Sequence, residues 1–206
     1  MATTTEQEVF WQGDFGDEYT DRNQGEDMIV SNIAYYSKML ARTQGIRSLL
    51  ELGPNRGLNL IALSRLLPKT TLSAVEINHK AGDKLKESLP DADLRRCSIL
   101  EFQPDRTWDL VLISGVLIHI NPDRLPDAYD VMYKSSSRYI LISDYYNPVP
   151  TEVLYRGHKE KLFKRDFAGE VLDKFPDLAL VDYGFSYHRD PIFPQDDLTW
   201  FLLEKR

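Results

Sequence analysis

The sequence predicts an α/β fold: a doubly wound, mainly parallel seven-stranded sheet with helices on both faces and an antiparallel last strand. Short apolar runs alternate with segments of helical periodicity, which is typical of a parallel sheet covered by helices. The last two apolar runs have no convincing helix between them, which indicates that the last strand runs antiparallel to its neighbour. The chain has 206 residues and suits one domain. We expect that domain to span residues 1–206, with an N-terminal arm at 1–26 and an insertion at 144–165.

The elements of the first half follow from periodicity and from residues that begin or end helices. Residues 6–26 are aromatic and acidic without clear periodicity, so no element is predicted there. Pro68 and Pro90 end two helices, because proline cannot continue a helix, and Asn78 can cap the second helix. The predicted elements are a helix at 27–43, a strand at 47–52, a helix from 58, a strand at 72–77, a helix after Asn78 and a short strand at 94–99.

The second half contains the most apolar strand of the chain. Trp108–Ser114 is an unbroken apolar run apart from one acid, which is typical of a strand buried on both faces. Asn121 and Pro122 can open a helix, and apolar residues repeat at helical spacing after them. The further predictions are a strand at 138–143, an irregular segment at 144–164, a helix at 165–175 and two strands at 178–185 and 198–204.

Composition excludes several classes of protein. The net charge of −7 argues against non-specific nucleic-acid binding. A single cysteine, Cys97, and four scattered histidines predict neither a disulfide framework nor a metal site. No apolar run approaches the length of a membrane span, and the N-terminus has no signal-peptide pattern. We therefore expect a cytoplasmic protein without metal, membrane or nucleic-acid partners, and its oligomeric state, monomer or homodimer, stays open.

The segment Ser48–Leu60 predicts a cofactor site. An apolar strand ends in Glu51, turns through Gly53 and Gly57, and enters a helix. The spacing differs from the GxGxxG loop that binds pyrophosphate, and a carboxylate would repel phosphate but attract an ammonium or sulfonium. S-adenosylmethionine fits that description. The alternative is an ordinary strand-to-helix turn with a surface glutamate.

A second acid stands in register with this loop. Glu76 ends the next strand and follows Glu51 by 25 positions (76 − 51), near the spacing at which an acid reaches ribose hydroxyls in doubly wound folds. Alone, Glu76 could be an exposed acid at a strand end. Because carboxyl ends of parallel strands meet at one edge, these polar residues should face one crevice: Glu51, Glu76, Ser98, Ser114 and Asp144.

The acid–glycine loop, the second acid and the phrase Trp108–His119 resemble class I S-adenosylmethionine-dependent methyltransferases. A closer resemblance covers nearly the whole chain and is to the methylases associated with pseudaminic acid biosynthesis, found in bacterial surface-sugar gene clusters. It implies a small anionic acceptor, such as a sugar acid or a nucleotide sugar. The matching phrases are Phe15–Asn23, Gly53–Leu60, Gly115–Pro122, Tyr145–Pro148, Tyr155–Lys159, Leu162–Gly169 and Asp196–Phe201.

The resemblance implies roles for individual residues. Glu51 and the backbone near Gly53 would face the methionine part, and Glu76 would hold the ribose. Asn55 replaces a commoner glycine, although asparagine tolerates positive φ, and Ser98 replaces an acid that contacts the adenine amino group in many relatives. The cofactor-binding residues expected are Trp11, Tyr19, Arg22, Asn23, Glu51, Gly53, Pro54, Asn55, Gly57, Asn59, Glu76, Ile77, Ser98, Ile99, Ser114, Gly115 and Val116.

The aromatic N-terminal arm lies where class I enzymes often carry a lid. Such a lid would exclude water, and an aromatic face favours a cation. Arg22 and Asn23 could form its hydrogen bonds. The alternative is that these rings only attach the N-terminus to the domain. The aromatic residues concerned are Phe10, Trp11, Phe15 and Tyr19.

Methyl transfer requires an in-line nucleophile and, for a hydroxyl acceptor, a base. His119 is the first candidate because it follows the fourth strand beside the expected acceptor pocket and titrates near neutrality. The alternative is a packed or capping histidine. Tyr145, Tyr146 and Asp144 are further candidates.

The segment 145–165 is the expected acceptor site. Basic residues concentrate there in an otherwise acidic protein, and arginine binds carboxylates and phosphates in a bidentate fork. The alternative is a solvated, charged face. The substrate-binding residues expected are His119, Tyr145, Asn147, Tyr155, Arg156, His158, Lys164 and Arg165.

Rival functions belong to other classes. The missing GxGxxG spacing disfavours a nucleotide-dependent oxidoreductase. The phrase Asn147–Pro150 suggests a nucleic-acid base methyltransferase, but it follows the fifth strand and not the fourth. A non-catalytic S-adenosylmethionine-binding module in a sugar pathway, or a methyltransferase for another small molecule, stays open.

Overall fold

The computed structural model describes residues 4–206, and a seven-stranded sheet forms its centre. The three residues of the expected arm that precede Thr4 lie outside the described residues. The sheet strands are β1 Ser48–Leu52, β2 Thr71–Val75, β3 Asp93–Arg95, β4 Trp108–Ser114, β5 Ser136–Asp144, β8 Leu178–Ser186 and β9 Leu198–Lys205; β6 Thr151–Glu152 and β7 Phe163–Lys164 form a separate hairpin. The helices are α1 Glu6–Gln12, α2 Asp14–Arg22, α3 Glu26–Met39, α4 Leu58–Leu66, α5 His79–Ser88, α6 Leu125–Ser135 and α7 Phe167–Lys174.

The strand order is β3-β2-β1-β4-β5-β9-β8. Strands β1 to β5 are parallel, and β9 runs antiparallel to both of its neighbours, β5 and β8. This arrangement confirms the predicted fold class. After β3 the chain returns to the other side of β1, so the carboxyl ends of β1 and β4 flank the point where such sheets bind ligands.

Alternate residues of the strands face two separate cores. Leu50 and Val111 belong to the core that includes Tyr129 of α6 and Phe167 of α7. Their neighbours on the opposite face belong to the core that includes residues of α3 and α4. Each fully buried leucine contributes roughly 1.5–3 kcal/mol of transfer free energy. Burial on both faces explains why Trp108–Ser114 is an apolar run, as predicted for that strand.

Helix boundaries follow local hydrogen bonds. The Asn78 side chain accepts from the Ala81 amide at 2.8 Å, which confirms the predicted cap. The helix predicted from Asn121 begins at Leu125, because Asn121 caps a 3-10 turn, Pro122–Arg124, and Pro126 sits in the first turn of α6. The short strand predicted at 94–99 ends at Arg95, because the Ser98 carbonyl accepts from Phe102 in a turn.

The N-terminal arm is helical where periodicity predicted no element. Thr5 and Glu8 form a capping box that begins α1, and the signature of that motif, Thr-x-x-Glu, is present in the sequence. Gly13 separates α1 from α2. Between residues 4 and 206, none of the helices has the length and apolar character needed to cross a bilayer.

Candidate functional site

A cavity of about 450 Å³ lies at the carboxyl ends of the central strands. The loops after β1, β2 and β4 form its floor, and the arm helices α1 and α2 cover it. The predicted residues that line it are Trp11, Tyr19, Asn23, Gly53, Pro54, Asn55, Asn59, Glu76, Ile77, Ser98, Ile99, Ser114, Gly115, Val116, His119, Tyr145, Tyr155 and Arg156.

The loop after β1 brings backbone to the cavity wall. Gly53 has a φ of 75°, and a Cβ there would lie 2.7 Å from Val116 Cγ2. Asn55 adopts a φ of 51°, as an asparagine can. Gly57, which was predicted to bind cofactor, lies outside the lining, because it caps α4 and faces Leu85.

Glu76 is held rigidly on the cavity floor. Its Oε2 accepts from the Asn55 amide at 2.7 Å and its Oε1 accepts from the Asn78 amide at 2.8 Å. Burial raises the pKa of Glu76 to about 7, against the effect of these backbone hydrogen bonds. A carboxylate offers about four acceptor positions, so each oxygen retains capacity for a donor in the cavity.

Glu51 lies deeper than predicted. It is fully buried and outside the cavity lining, because it sits within a central strand with both faces covered. Its Oε1 accepts from Asn59 Nδ2 at 2.7 Å, whereas its Oε2 has no hydrogen-bond partner among residues 4–206. Burial is the main reason that its pKa rises to about 8, and the charge of Glu76 adds to that rise.

A hydrogen-bonded chain connects Glu51 to the far side of the cavity. Asn59 accepts from Asn32 Nδ2 at 2.9 Å, and Asn32 accepts from Gln195 Nε2 at 3.0 Å. Asn59, Asn32 and Gln195 all line the cavity. The buried acid of β1 is therefore connected to the cavity wall through amide side chains.

The arm helices are bound to the loops of the cavity floor. Asn55 donates to Thr20 Oγ1 at 2.9 Å, and Asn78 donates to Asp17 Oδ1 at 2.8 Å. Gly16 is necessary for this packing, because a Cβ there would lie 1.9 Å from the Trp11 carbonyl oxygen within the arm and 2.9 Å from Asn78 Nδ2 of the floor. The arm thus contributes residues to the cavity wall and packs on the sheet domain, and its role as a lid stays a prediction.

His119 has an assigned tautomer. Its Nδ1 lies 2.5 Å from the Lys161 carbonyl oxygen, which can only accept, so Nδ1 carries the proton and Nε2 presents a lone pair. The ring packs against Trp11 and Tyr155, with centroids 4.5 and 4.9 Å away. Burial lowers the pKa of His119 to about 4, so the imidazole is neutral at pH 7.

Asp144 and Tyr146 lie apart from the cavity. Asp144 accepts from the Leu117 amide at 3.1 Å and so supports the 3-10 turn that ends at His119; burial raises its pKa to about 8. Tyr146, predicted as a base, is 42% exposed and packs against Phe201 instead.

Five further predicted residues also lie outside the lining, each because it has another partner. Arg22 pairs with Glu18 at 3.4 Å, and Arg165 pairs with Glu170 at 2.7 Å. The other three are Asn147, which donates to the Val149 carbonyl, His158, which packs on Phe10 and Phe15, and Lys164, which lies over the Tyr145 ring.

Sequence reasoning missed several residues of the cavity wall. Glu8 comes from α1, Asn32 and Tyr35 from α3, and Gln195 and Asp196 from the loop between β8 and β9. Tyr35 OH is 2.7 Å from Ser143 Oγ. A signal for Asp196 was present, because it begins one of the phrases that carried the resemblance.

The chain has the fold of class I S-adenosylmethionine-dependent methyltransferases. It superposes on 1,6-didemethyltoxoflavin-N1-methyltransferase of Burkholderia thailandensis, crystallised with S-adenosylhomocysteine, with a TM-score of 0.72 at 16% identity, over 100% of this chain and 91% of that one. Magnesium protoporphyrin IX methyltransferase of Synechocystis PCC 6803, crystallised with S-adenosylmethionine, gives 0.68 at 13% identity over 100% of both chains.

The mitomycin 7-O-methyltransferase superposes with a TM-score of 0.69 at 13% identity, over 98% of this chain and 61% of that one. No protein-family model and no curated protein sequence matches the chain. Across residues 4–206, no group of three or more His, Cys, Asp or Glu side chains is arranged to hold a metal ion.

Proposed function

We propose that this protein is an S-adenosylmethionine-dependent methyltransferase that acts on a small anionic acceptor. One observation carries the proposal: Glu76 presents a carboxylate with both oxygens positioned by backbone amides on the floor of the cavity. A ribose offers two hydroxyl donors to such a group. In this proposal residues 1–206 form one catalytic domain that works in the cytoplasm, as a monomer or a homodimer, without a nucleic-acid partner.

The charges around the cavity fit a cationic cofactor. Glu51, Glu76 and Asp144 are buried carboxyls whose pKa values burial raises. Burial favours the neutral form of each carboxyl, and of the three only Glu76 lines the cavity. A pyrophosphate would oppose ionisation of Glu76, whereas a sulfonium and an ammonium would stabilise its ionised form. The glycine loop also lacks the GxGxxG spacing. These features support S-adenosylmethionine over a dinucleotide.

The donor supplies an electrophilic methyl group, and the protein's own residues position the acceptor and move a proton. The Trp11 and Tyr155 rings exclude water around His119. The Nε2 lone pair of His119 can take the proton of an acceptor hydroxyl, because the Lys161 carbonyl fixes the tautomer that is protonated at Nδ1. A positioned base contributes about 10²–10⁴-fold in rate, and the pKa of about 4 keeps the His119 lone pair free at pH 7 but places its contribution toward the lower end of that range.

Arg156 supports an anionic acceptor. It lies at the cavity wall beside Tyr155 and carries no ion pair with an acidic side chain of residues 4–206. Together with the resemblance, it favours a sugar acid or nucleotide sugar of pseudaminic acid-type surface-glycan biosynthesis. Asp196 also lines the cavity, so the acceptor can carry a donor group as well.

A screen with methyl-labelled S-adenosylmethionine against sugar acids and nucleotide sugars tests the proposal. Transfer of label to a sugar acid is the expected result, and the same reaction with the Glu76→Gln variant is the control. Calorimetry with S-adenosylhomocysteine separates the alternatives. Binding without transfer to any acceptor favours the non-catalytic module, label on another small molecule favours that substrate class, and absence of binding contradicts the cofactor.

A further inference from the structure

Glu8 extends from the arm to the loop after β3. Its Oε2 accepts from the Thr5 amide at 2.7 Å and from Thr5 Oγ1 at 2.9 Å, which completes the capping box of α1. Its Oε1 accepts a very short hydrogen bond from Ser98 Oγ. Glu8 and Ser98 both line the cavity. The carboxylate is thus held at both oxygens while it faces the enclosed space.

The part of the cavity near Glu8 suits a flat base with a polar edge. Ile77, Ile99 and Leu100 line it with apolar surface. It lies on the β3 side of Glu76, because Ser98 follows β3 at the edge of the sheet. A ribose on Glu76 would direct its base either toward this apolar part or toward the polar centre near β1 and β4. Burial of an apolar ring face favours the former.

Ser98 has little capacity left to recognise that base. Its hydroxyl proton goes to Glu8, and its oxygen accepts from the Leu100 amide at 3.1 Å. Glu8 retains one acceptor position, on Oε1, because an ionised carboxylate accepts at about four positions and three are used by Thr5 and Ser98. The polar edge of this part of the cavity is therefore an acceptor of hydrogen bonds, supplied by the arm.

We propose that Glu8 accepts a hydrogen bond from the exocyclic amino group of the cofactor's adenine and thereby selects adenosyl over inosyl cofactors. The inference rests on the proposed function. Adenine presents a donor at this position, whereas hypoxanthine presents a carbonyl oxygen, which a carboxylate repels. The arm then forms part of the cofactor site and is not only a cover, so cofactor binding and arm docking reinforce each other.

Calorimetry with S-adenosylhomocysteine and S-inosylhomocysteine tests this role without reference to activity. We expect the unchanged protein to bind the adenosyl compound at least about tenfold more tightly, because a hydrogen bond to a charged group contributes roughly 1.5–3 kcal/mol. In Glu8→Gln the preference should fall about tenfold, since an amide can donate to the carbonyl oxygen while glutamine preserves the capping box.

Two further variants separate recognition from folding. Glu6→Gln is the matched control on the same helix: the Glu6 side chain is 82% exposed and contacts Lys161, so both affinities should stay unchanged. Glu8→Ala should weaken adenosyl binding without improving inosyl binding. Thermal unfolding of each variant reports whether the arm and the domain remain folded.

Equal affinity of the unchanged protein for both compounds, or a preference that survives in Glu8→Gln, would overturn the role of Glu8 and leave the proposed function intact. Failure of the unchanged protein to bind S-adenosylhomocysteine at all would overturn the proposed function, and this inference with it.

Discussion

Trp11 and His119 lie ring against ring, with centroids 4.5 Å apart and planes inclined by 53°. One residue belongs to the first helix of the arm and the other to the turn after β4. Because the Lys161 carbonyl holds the Nδ1 proton of the imidazole, the arm packs against a ring whose unprotonated nitrogen is already defined. The arm and the proposed chemistry are therefore joined at this contact.

The first prediction concerns the base. His119→Asn should lower kcat by about 10²–10⁴-fold and leave the affinity for S-adenosylhomocysteine within about twofold, because the amide can still donate to Lys161 but has no basic lone pair. Initial rates with the acceptor found in the screen, and calorimetry, measure the two quantities. His79→Asn, at an exposed position on α5, is the control. An unchanged kcat removes the base assignment.

The second prediction concerns the acceptor. Arg156→Glu should raise KM for an anionic acceptor at least about tenfold, because a charge-assisted hydrogen bond contributes roughly 1.5–3 kcal/mol. Cofactor affinity should not change. Lys159→Glu makes the same charge change at an exposed position in the same segment and should leave KM unaltered. Equal effects of the two variants would indicate long-range attraction instead of a contact.

The third prediction concerns the floor of the cavity. Glu76→Gln should weaken S-adenosylhomocysteine binding about tenfold or more, because at least one charged hydrogen bond to a hydroxyl is lost. Calorimetry measures the affinity. Glu101→Gln changes an exposed acid in the loop after β3, and this variant should bind as the unchanged protein does. Undiminished affinity in Glu76→Gln would show that the nucleoside binds elsewhere.

The fourth prediction concerns proton release. The pKa of Glu51 is raised to about 8 and that of Glu76 to about 7, in both cases mainly by burial. A cation and hydroxyl donors favour the ionised carboxylates, so S-adenosylmethionine should release protons on binding at pH 7, and its affinity should rise with pH up to about 8. Titrations in buffers of different ionisation enthalpy measure the release. Glu51→Gln should reduce it, and proton uptake would contradict the assignment.

The fifth prediction concerns stability without ligand. Because Glu51, Glu76 and Asp144 have folded-state pKa values above their ordinary values, the folded protein binds more protons than the unfolded chain between about pH 5 and 8. The lowered pKa of His119 offsets part of this excess below about pH 6.5. The free energy of unfolding should therefore fall as pH rises through that window, by about 1.4 kcal/mol per unit of pKa shift as an upper bound. Denaturant titrations across the window measure it. Glu51→Gln should make the free energy of unfolding depend less on pH. A free energy of unfolding that rises with pH across this window would contradict the prediction.

The sheet could be predicted because its signals are local. Trp108–Ser114 matches β4 at both ends, since a strand buried on both faces requires an unbroken apolar run. Asn78 caps α5 for an equally local reason. The arm escaped prediction because its two helices are short and separated only by Gly13, although the capping box at Thr5 was present.

The sequence alone determined the fold class and the two acids beside the glycine loop, because strand and helix periods and fixed spacing between strand ends are properties of neighbouring residues. Only the tertiary structure decided that Glu51 lies behind Asn59, that Lys161 assigns the tautomer of His119, and that Glu8 reaches Ser98. Those contacts join residues far apart in the chain. Their geometry depends on how the arm and the loops pack over the sheet, which no local pattern encodes.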